Sequence, residues 1–68
     1  MIVNGKPFEL EFGPSQTRLL AEVLALAGYD LSQVAVLVNG QVAPKGQIGQ
    51  IEVQKGDALE IVSFVGGG

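Results

Sequence analysis

The sequence predicts an α+β domain in which one helix packs on one face of a mixed β-sheet. Three observations carry the prediction: two apolar segments near the start separated by Asn4-Gly5, one stretch of helical periodicity at residues 19–27, and later apolar segments of strand length at Val34–Val38 and 59–65. A sheet with one apolar face needs a covering element, and the single helix supplies it. The 68 residues suffice for one such unit. A chain of that size buries only about 60% of the surface it exposes when unfolded, so its stability margin is narrow.

Ile2-Val3, then Asn4-Gly5-Lys6-Pro7, then residues 8–12 read as strand, turn, strand. Asn-Gly supplies the positive φ angles that a tight hairpin requires. Alternation in the second strand puts Phe8, Leu10 and Phe12 on one face as core and leaves Glu9 and Glu11 in water. Gly13-Pro14 breaks the strand, and Ser15 or Thr17 is positioned to cap the helix that follows. In that helix Leu20, Val23, Leu24 and Ala27 recur at i, i+3, i+4 and i+7, Leu19 widens the stripe, and Gly28 stands where a left-handed C-cap belongs. Val34–Val38 is a continuous apolar run of the kind expected of a strand covered on both faces, and Asn39-Gly40 ends it. A short Val42-Ala43 segment stops at Pro44, an irregular stretch follows, Lys55-Gly56-Asp57 marks a turn, and residues 59–65 form the last strand. There is no internal repeat and no charge block, which leaves a single domain over residues 1–65 and a glycine tail over 66–68.

Parity along the last strand separates Leu59 and Ile61 from Val62 and Phe64, and along the middle strand it separates the valines from Ala35 and Leu37. With Ile61 turned to the helix, Leu37, Val62 and Phe64 share the open face. Such a patch is either leftover apolar surface on a small protein or a place where a partner docks.

Composition removes several classes of function. Four Lys plus Arg against seven Asp plus Glu give a net charge of −3, which disfavours a phosphate backbone as partner. Cysteine and histidine are both absent, and with them go disulfides, thiolate nucleophiles, the common zinc sites and imidazole catalysis. The sequence sets no histidine, cysteine or other activating base in a recognisable pattern with Ser63 or Tyr29, so an enzyme with its own catalytic residues is not expected. No cofactor or metal site is expected either. No run approaches the 18 or so apolar residues of a membrane span, and the expected setting is the cytoplasm.

Charged residues make up only 16% of the chain, while its ten glycines are about twice the average share of roughly 7%. Three of those glycines are Gly66, Gly67 and Gly68. Side-chain-free residues cannot pack a core, and they either fray or serve as a slim thread into a partner's active site.

Val34-Ala35-Val36-Leu37-Val38-Asn39-Gly40, Val42-Ala43-Pro44-Lys45, Lys55-Gly56-Asp57 and Glu60-Ile61-Val62-Ser63-Phe64-Val65 leading into Gly67-Gly68 occur in an order and spacing that resembles the ThiS-type sulfur carriers of thiamin biosynthesis. These belong to the wider ubiquitin-like β-grasp group, and the resemblance covers essentially the whole chain. It implies that Gly68 is the modified residue: a ThiF-like enzyme spends ATP to adenylate its carboxylate, a sulfur donor such as a cysteine desulfurase turns the adenylate into a thiocarboxylate, and thiazole synthase takes the sulfur. Gly66 and Gly67 are then the thread, and Leu37, Val62, Phe64 and Val65 the docking patch, in a protein that is monomeric when free. A MoaD-like small subunit of molybdopterin synthase, a ubiquitin-like protein joined to target lysines, and a plain interaction module share the fold and stay open on the sequence.

Overall fold

The computed structural model describes residues 1–64. Strand β1 (Ile2–Val3) turns through Asn4 and Gly5, at φ 52° and 81°, into β2 (Lys6–Pro7). Both central residues carry positive φ, the type I′ geometry whose twist matches the flanking strands. The expected second strand over residues 8–12 is corrected here. Pairing ends at Ile2 with Pro7 and Val3 with Lys6, extended by one bond from the Phe8 N–H to the Met1 carbonyl at 2.9 Å. Beyond it the chain keeps the alternation without a partner strand: Phe8 and Leu10 are half-buried, Phe12 is buried, and Glu9 and Glu11 are exposed. The side-chain pattern reports which face is wet and says nothing about who supplies the hydrogen bonds.

After a turn closed by the Gln16 N–H on the Gly13 carbonyl, β3 (Thr17–Leu19) pairs antiparallel with β6 (Glu52–Gln54), a second small sheet that the sequence pattern does not announce. The expected helix cap is a second correction. Ser15 Oγ and Thr17 Oγ1 lie 3.2 Å apart and bond to each other, Leu19 occupies the N-cap without a side-chain bond, and the Leu20 N–H donates to the Ile51 carbonyl at 2.7 Å. A neighbouring backbone thus replaces the cap for one of the amides a helix leaves open at its start. Helix α1 (Leu20–Ala27) ends as expected at Gly28, φ 91°, whose amide and that of Tyr29 donate to the Ala25 and Leu24 carbonyls.

A 3-10 turn at Leu31–Gln33 leads into β4 (Val34–Val38), and a second Asn-Gly turn, Asn39 φ 52° and Gly40 φ 85°, returns as β5 (Gln41–Val42). Pro44 then opens a 3-10 segment at Lys45–Gln50 that carries Ile48 into the core. Strand β7 (Ala58–Ser63) closes the sheet, parallel to β1 and antiparallel to β4, so the order among the described residues is β2-β1-β7-β4-β5.

The helix stripe Leu20, Val23 and Leu24 packs with Val34 and Val36 of β4, Leu59 and Ile61 of β7, and Ile48, Val53, Ala43 and Phe12 in one core. The expectation that β4 is covered on both faces is met on one side only: Val34 and Val36 are buried, whereas Ala35 and Leu37 on the far side are half-buried. Among the described residues no helix is long and apolar enough to cross a membrane.

Candidate functional site

The far side of the sheet is built by β7 and what lies beside it. Directly opposed residues of neighbouring strands point to the same face. The register sets Val62 opposite Ala35, Glu60 opposite Leu37, Leu37 opposite Val42, and Ala58 opposite Ile2. Val62 is 54% exposed and Val42 70%, while Leu59 and Ile61 on the other side of β7 are 1% and 6% exposed, so the parity expected from the sequence holds. The result is an apolar surface of Ile2, Leu37, Val42 and Val62 crossing the middle of the sheet, with the Glu60 side chain on the same face.

Of the expected docking residues, Leu37 and Val62 lie on this face on adjacent strands. Phe64 lies just past the end of β7 and is 59% exposed. Its N–H donates to the Gln33 carbonyl at 2.8 Å, and the Lys45 ammonium stands 4.5 Å from its ring centroid. Val65 and Gly66, Gly67 and Gly68 lie outside the described residues. Val42 and Ile2 join the patch without having been expected. For Val42 the signal was present: a two-residue Asn-Gly loop pairs Val38 with Gln41 and therefore Leu37 with Val42. For Ile2 it was not, because the pairing of β1 with β7 joins residues more than fifty positions apart.

Asparagines from the two hairpin turns brace β7 on both sides. On one side Asn4 Oδ1 accepts the Ile61 N–H at 2.7 Å and the Asn4 N–H donates to the Leu59 carbonyl at 2.8 Å. On the other, Asn39 Oδ1 accepts the Ala58 N–H at 2.9 Å and the Asn39 N–H donates to the Ala58 carbonyl at 2.8 Å. Asp57 is committed to the turn that the sequence marks at Lys55-Gly56-Asp57. One carboxylate oxygen accepts the Gln54 N–H at 2.8 Å and the other accepts Asn39 Nδ2 at 3.0 Å. Asp30 caps the turn beneath Phe64: the Ser32 hydroxyl and amide both donate to Oδ1, and these bonds hold its carboxyl below the usual carboxylate range. Among the described residues no group of three His, Cys, Asp or Glu side chains is placed to hold a metal ion.

A mixed sheet with one helix across one face and an open apolar face on the other, with β1 and β7 parallel at its centre, defines a ubiquitin-like β-grasp protein. The chain belongs to the ThiS family, whose model matches residues 1–68. In fold it is similar to the crystal structure of the thiamine biosynthesis protein ThiS from Geobacter metallireducens, with a TM-score of 0.73, 34% identity, and coverage of 98% of this chain and 96% of that one. A solution structure of a thiamine biosynthesis protein from the same organism gives a TM-score of 0.73 at 31% identity, covering 98% and 85% of the two chains. Among curated proteins, the thiazole synthase of Paramagnetospirillum magneticum is 40% identical over 68 residues, all of this chain and 20% of that protein. That of Magnetococcus marinus is 35% identical over 66 residues, 97% of this chain and 19% of that protein. The chain therefore spans about one fifth of the length of these curated relatives.

Proposed function

We propose that this chain is a sulfur carrier of thiamin biosynthesis whose working group is the carboxylate of Gly68, and that it has no catalytic residues of its own. The observation that carries the reading is the family match, which extends through Gly66, Gly67 and Gly68. A carboxylate is a poor electrophile, so a ThiF-like partner first joins it to AMP from ATP with release of pyrophosphate. The terminal sulfur of a persulfide on a donor such as a cysteine desulfurase displaces AMP. A thiol then cleaves the resulting acyl disulfide, leaving a thiocarboxylate on Gly68 and a disulfide on the thiol partner. ATP is bound by the activating enzyme and not by the carrier. The carrier needs no thiol in any step, consistent with a chain that lacks cysteine.

Thiazole synthase is the acceptor this reading favours over a molybdopterin synthase large subunit. Two proteins of that name contain a segment similar to this chain. A carrier that shares its acceptor's polypeptide meets it at high effective concentration, and one that does not must dock from solution. The apolar face around Leu37, Val42 and Val62 is the docking surface proposed for both partners in turn. A modest reversible contact suits a carrier that must be released after each transfer.

Intact mass spectrometry after incubation with ATP, the activating enzyme and a persulfide donor tests the reading. The expected product carries sulfur in place of one C-terminal oxygen. A chain that stays unconverted under conditions where an established carrier is converted overturns it.

A further inference from the structure

We propose that Lys45 is a positioning residue for the terminal segment: it holds Phe64, the residue from which the chain continues into Val65 and the glycines. The proposal rests on the sulfur-carrier reading for its functional consequence and on geometry for its structural one.

Three elements converge on Phe64. Lys45 is the first residue after Pro44, whose φ of −58° begins the 3-10 segment Lys45–Gln50. Its ammonium donates to the Ser32 carbonyl at 3.1 Å and stands 4.5 Å from the Phe64 ring centroid. The same 3-10 turn that offers the Ser32 carbonyl offers the Gln33 carbonyl to the Phe64 N–H at 2.8 Å. That turn is itself held by Asp30, which accepts from both the amide and the hydroxyl of Ser32. Phe64 lies one residue beyond Ser63, the last paired residue of β7, which is opposite Val34, so among the described residues its single backbone bond to Gln33 is the last tie to that side of the sheet. A ring 59% exposed at that place has little packing to fix it, and the cation above it supplies the missing restraint.

The consequence is a population effect. If the segment beyond Phe64 enters a partner only when Phe64 is held, loss of the clamp lowers the competent fraction and weakens apparent binding by that fraction, leaving the chemical step untouched. An exposed cation–π contact corresponds to about a two- to fivefold change.

The test compares K45M, which keeps the stem and removes the charge, with K45R, F64L and the K45M/F64L pair. Hydrogen exchange of the Phe64 amide, read against the Val62 amide in the sheet, reports the clamp without any partner. K45M is expected to speed Phe64 exchange about two- to fivefold, with Val62 unchanged and K45R close to wild type. In adenylation assays KM for the carrier rises by a similar factor with kcat unchanged, and the double variant is no worse than the more affected single one. Unchanged Phe64 exchange in K45M, additive K45M and F64L effects, or a fall in kcat at constant KM each overturns the proposal. If the wild-type chain is not adenylated at all, the carrier reading fails, and the exchange comparison still decides whether Lys45 holds Phe64.

Discussion

Asn4 and Asn39 fill the same position in two type I′ turns, yet their side chains face different neighbours and respond differently to one substitution. Asn4 Oδ1 accepts the Ile61 N–H, and its amide nitrogen has only a long 3.4 Å contact with the Tyr29 hydroxyl. Asp in its place keeps the acceptor and suits the turn, so Asn4→Asp is expected to change stability at pH 7 by no more than about 0.5 kcal/mol. Asn39 uses both ends, accepting from Ala58 and donating to Asp57. Asn39→Asp sets two carboxylates against each other, and urea unfolding should show a loss on the order of 1–2 kcal/mol. Equal responses in the two turns would mean that the Asp57 contact contributes nothing. Asp30 gives a pH-dependent counterpart. Its folded carboxyl is held below its ordinary value by Ser32, so its contribution is complete above the unfolded value and is lost as pH falls through the lowered folded one. The Tm advantage of wild type over Asp30→Asn should therefore be present at neutral pH and close as the pH drops below about 4. An advantage that persists at the acid end would assign it to something other than the charge.

At the scale of the element, α1 shows what local sequence does and does not specify. Its C-terminus is written in one residue: Gly28 sits at φ 91° with nothing within 4 Å of an added Cβ. Gly28→Ala meets no clash and still costs about 1–2 kcal/mol, because the left-handed conformation itself is disfavoured. Gly49, also with open space but without a positive φ, is the control and should tolerate Ala or gain slightly on thermal unfolding. The N-terminus is written elsewhere. The Ile51 carbonyl that receives the Leu20 amide is thirty-one positions away, and β3 exists because β6 pairs with it. Thr17-Arg18-Leu19 before an apolar helix reads locally as a cap and first turn, and only a distant strand makes it extended. The Asn-Gly turns, the helix body and its C-cap were legible because their determinants lie within a few residues, whereas the return strand of the first hairpin is Lys6–Pro7 and not residues 8–12. The small second sheet was not legible, because three-residue strands carry too little pattern to announce a partner.

For the whole molecule, parity along β7 divides the core from the open face one residue at a time. Leu59 and Ile61 face the helix while Val62 faces out, which alternation alone predicted, and the Asn39-Gly40 loop length placed Val42 beside Leu37. What the alternation left out was how β7 is flanked, with β1 parallel on one side and β4 antiparallel on the other, since that depends on closure of the whole chain. The division makes neighbouring substitutions behave oppositely. A domain of this size has a total stability of roughly 3–10 kcal/mol. Ile61→Ala opens a cavity costing about 2–5 kcal/mol, a large share of it. Val62→Asp, half in water already, should cost under about 1 kcal/mol and leave the urea midpoint close to wild type. Titration against thiazole synthase should then give the reverse order: Val62→Asp places a charge inside an apolar contact and raises Kd by tenfold or more, about 1.4 kcal/mol, while residual folded Ile61→Ala binds as wild type does. If Val62→Asp binds with unchanged Kd, the open face is not where the acceptor docks, and Leu37, Val42 and Val62 are surplus apolar surface on a small protein.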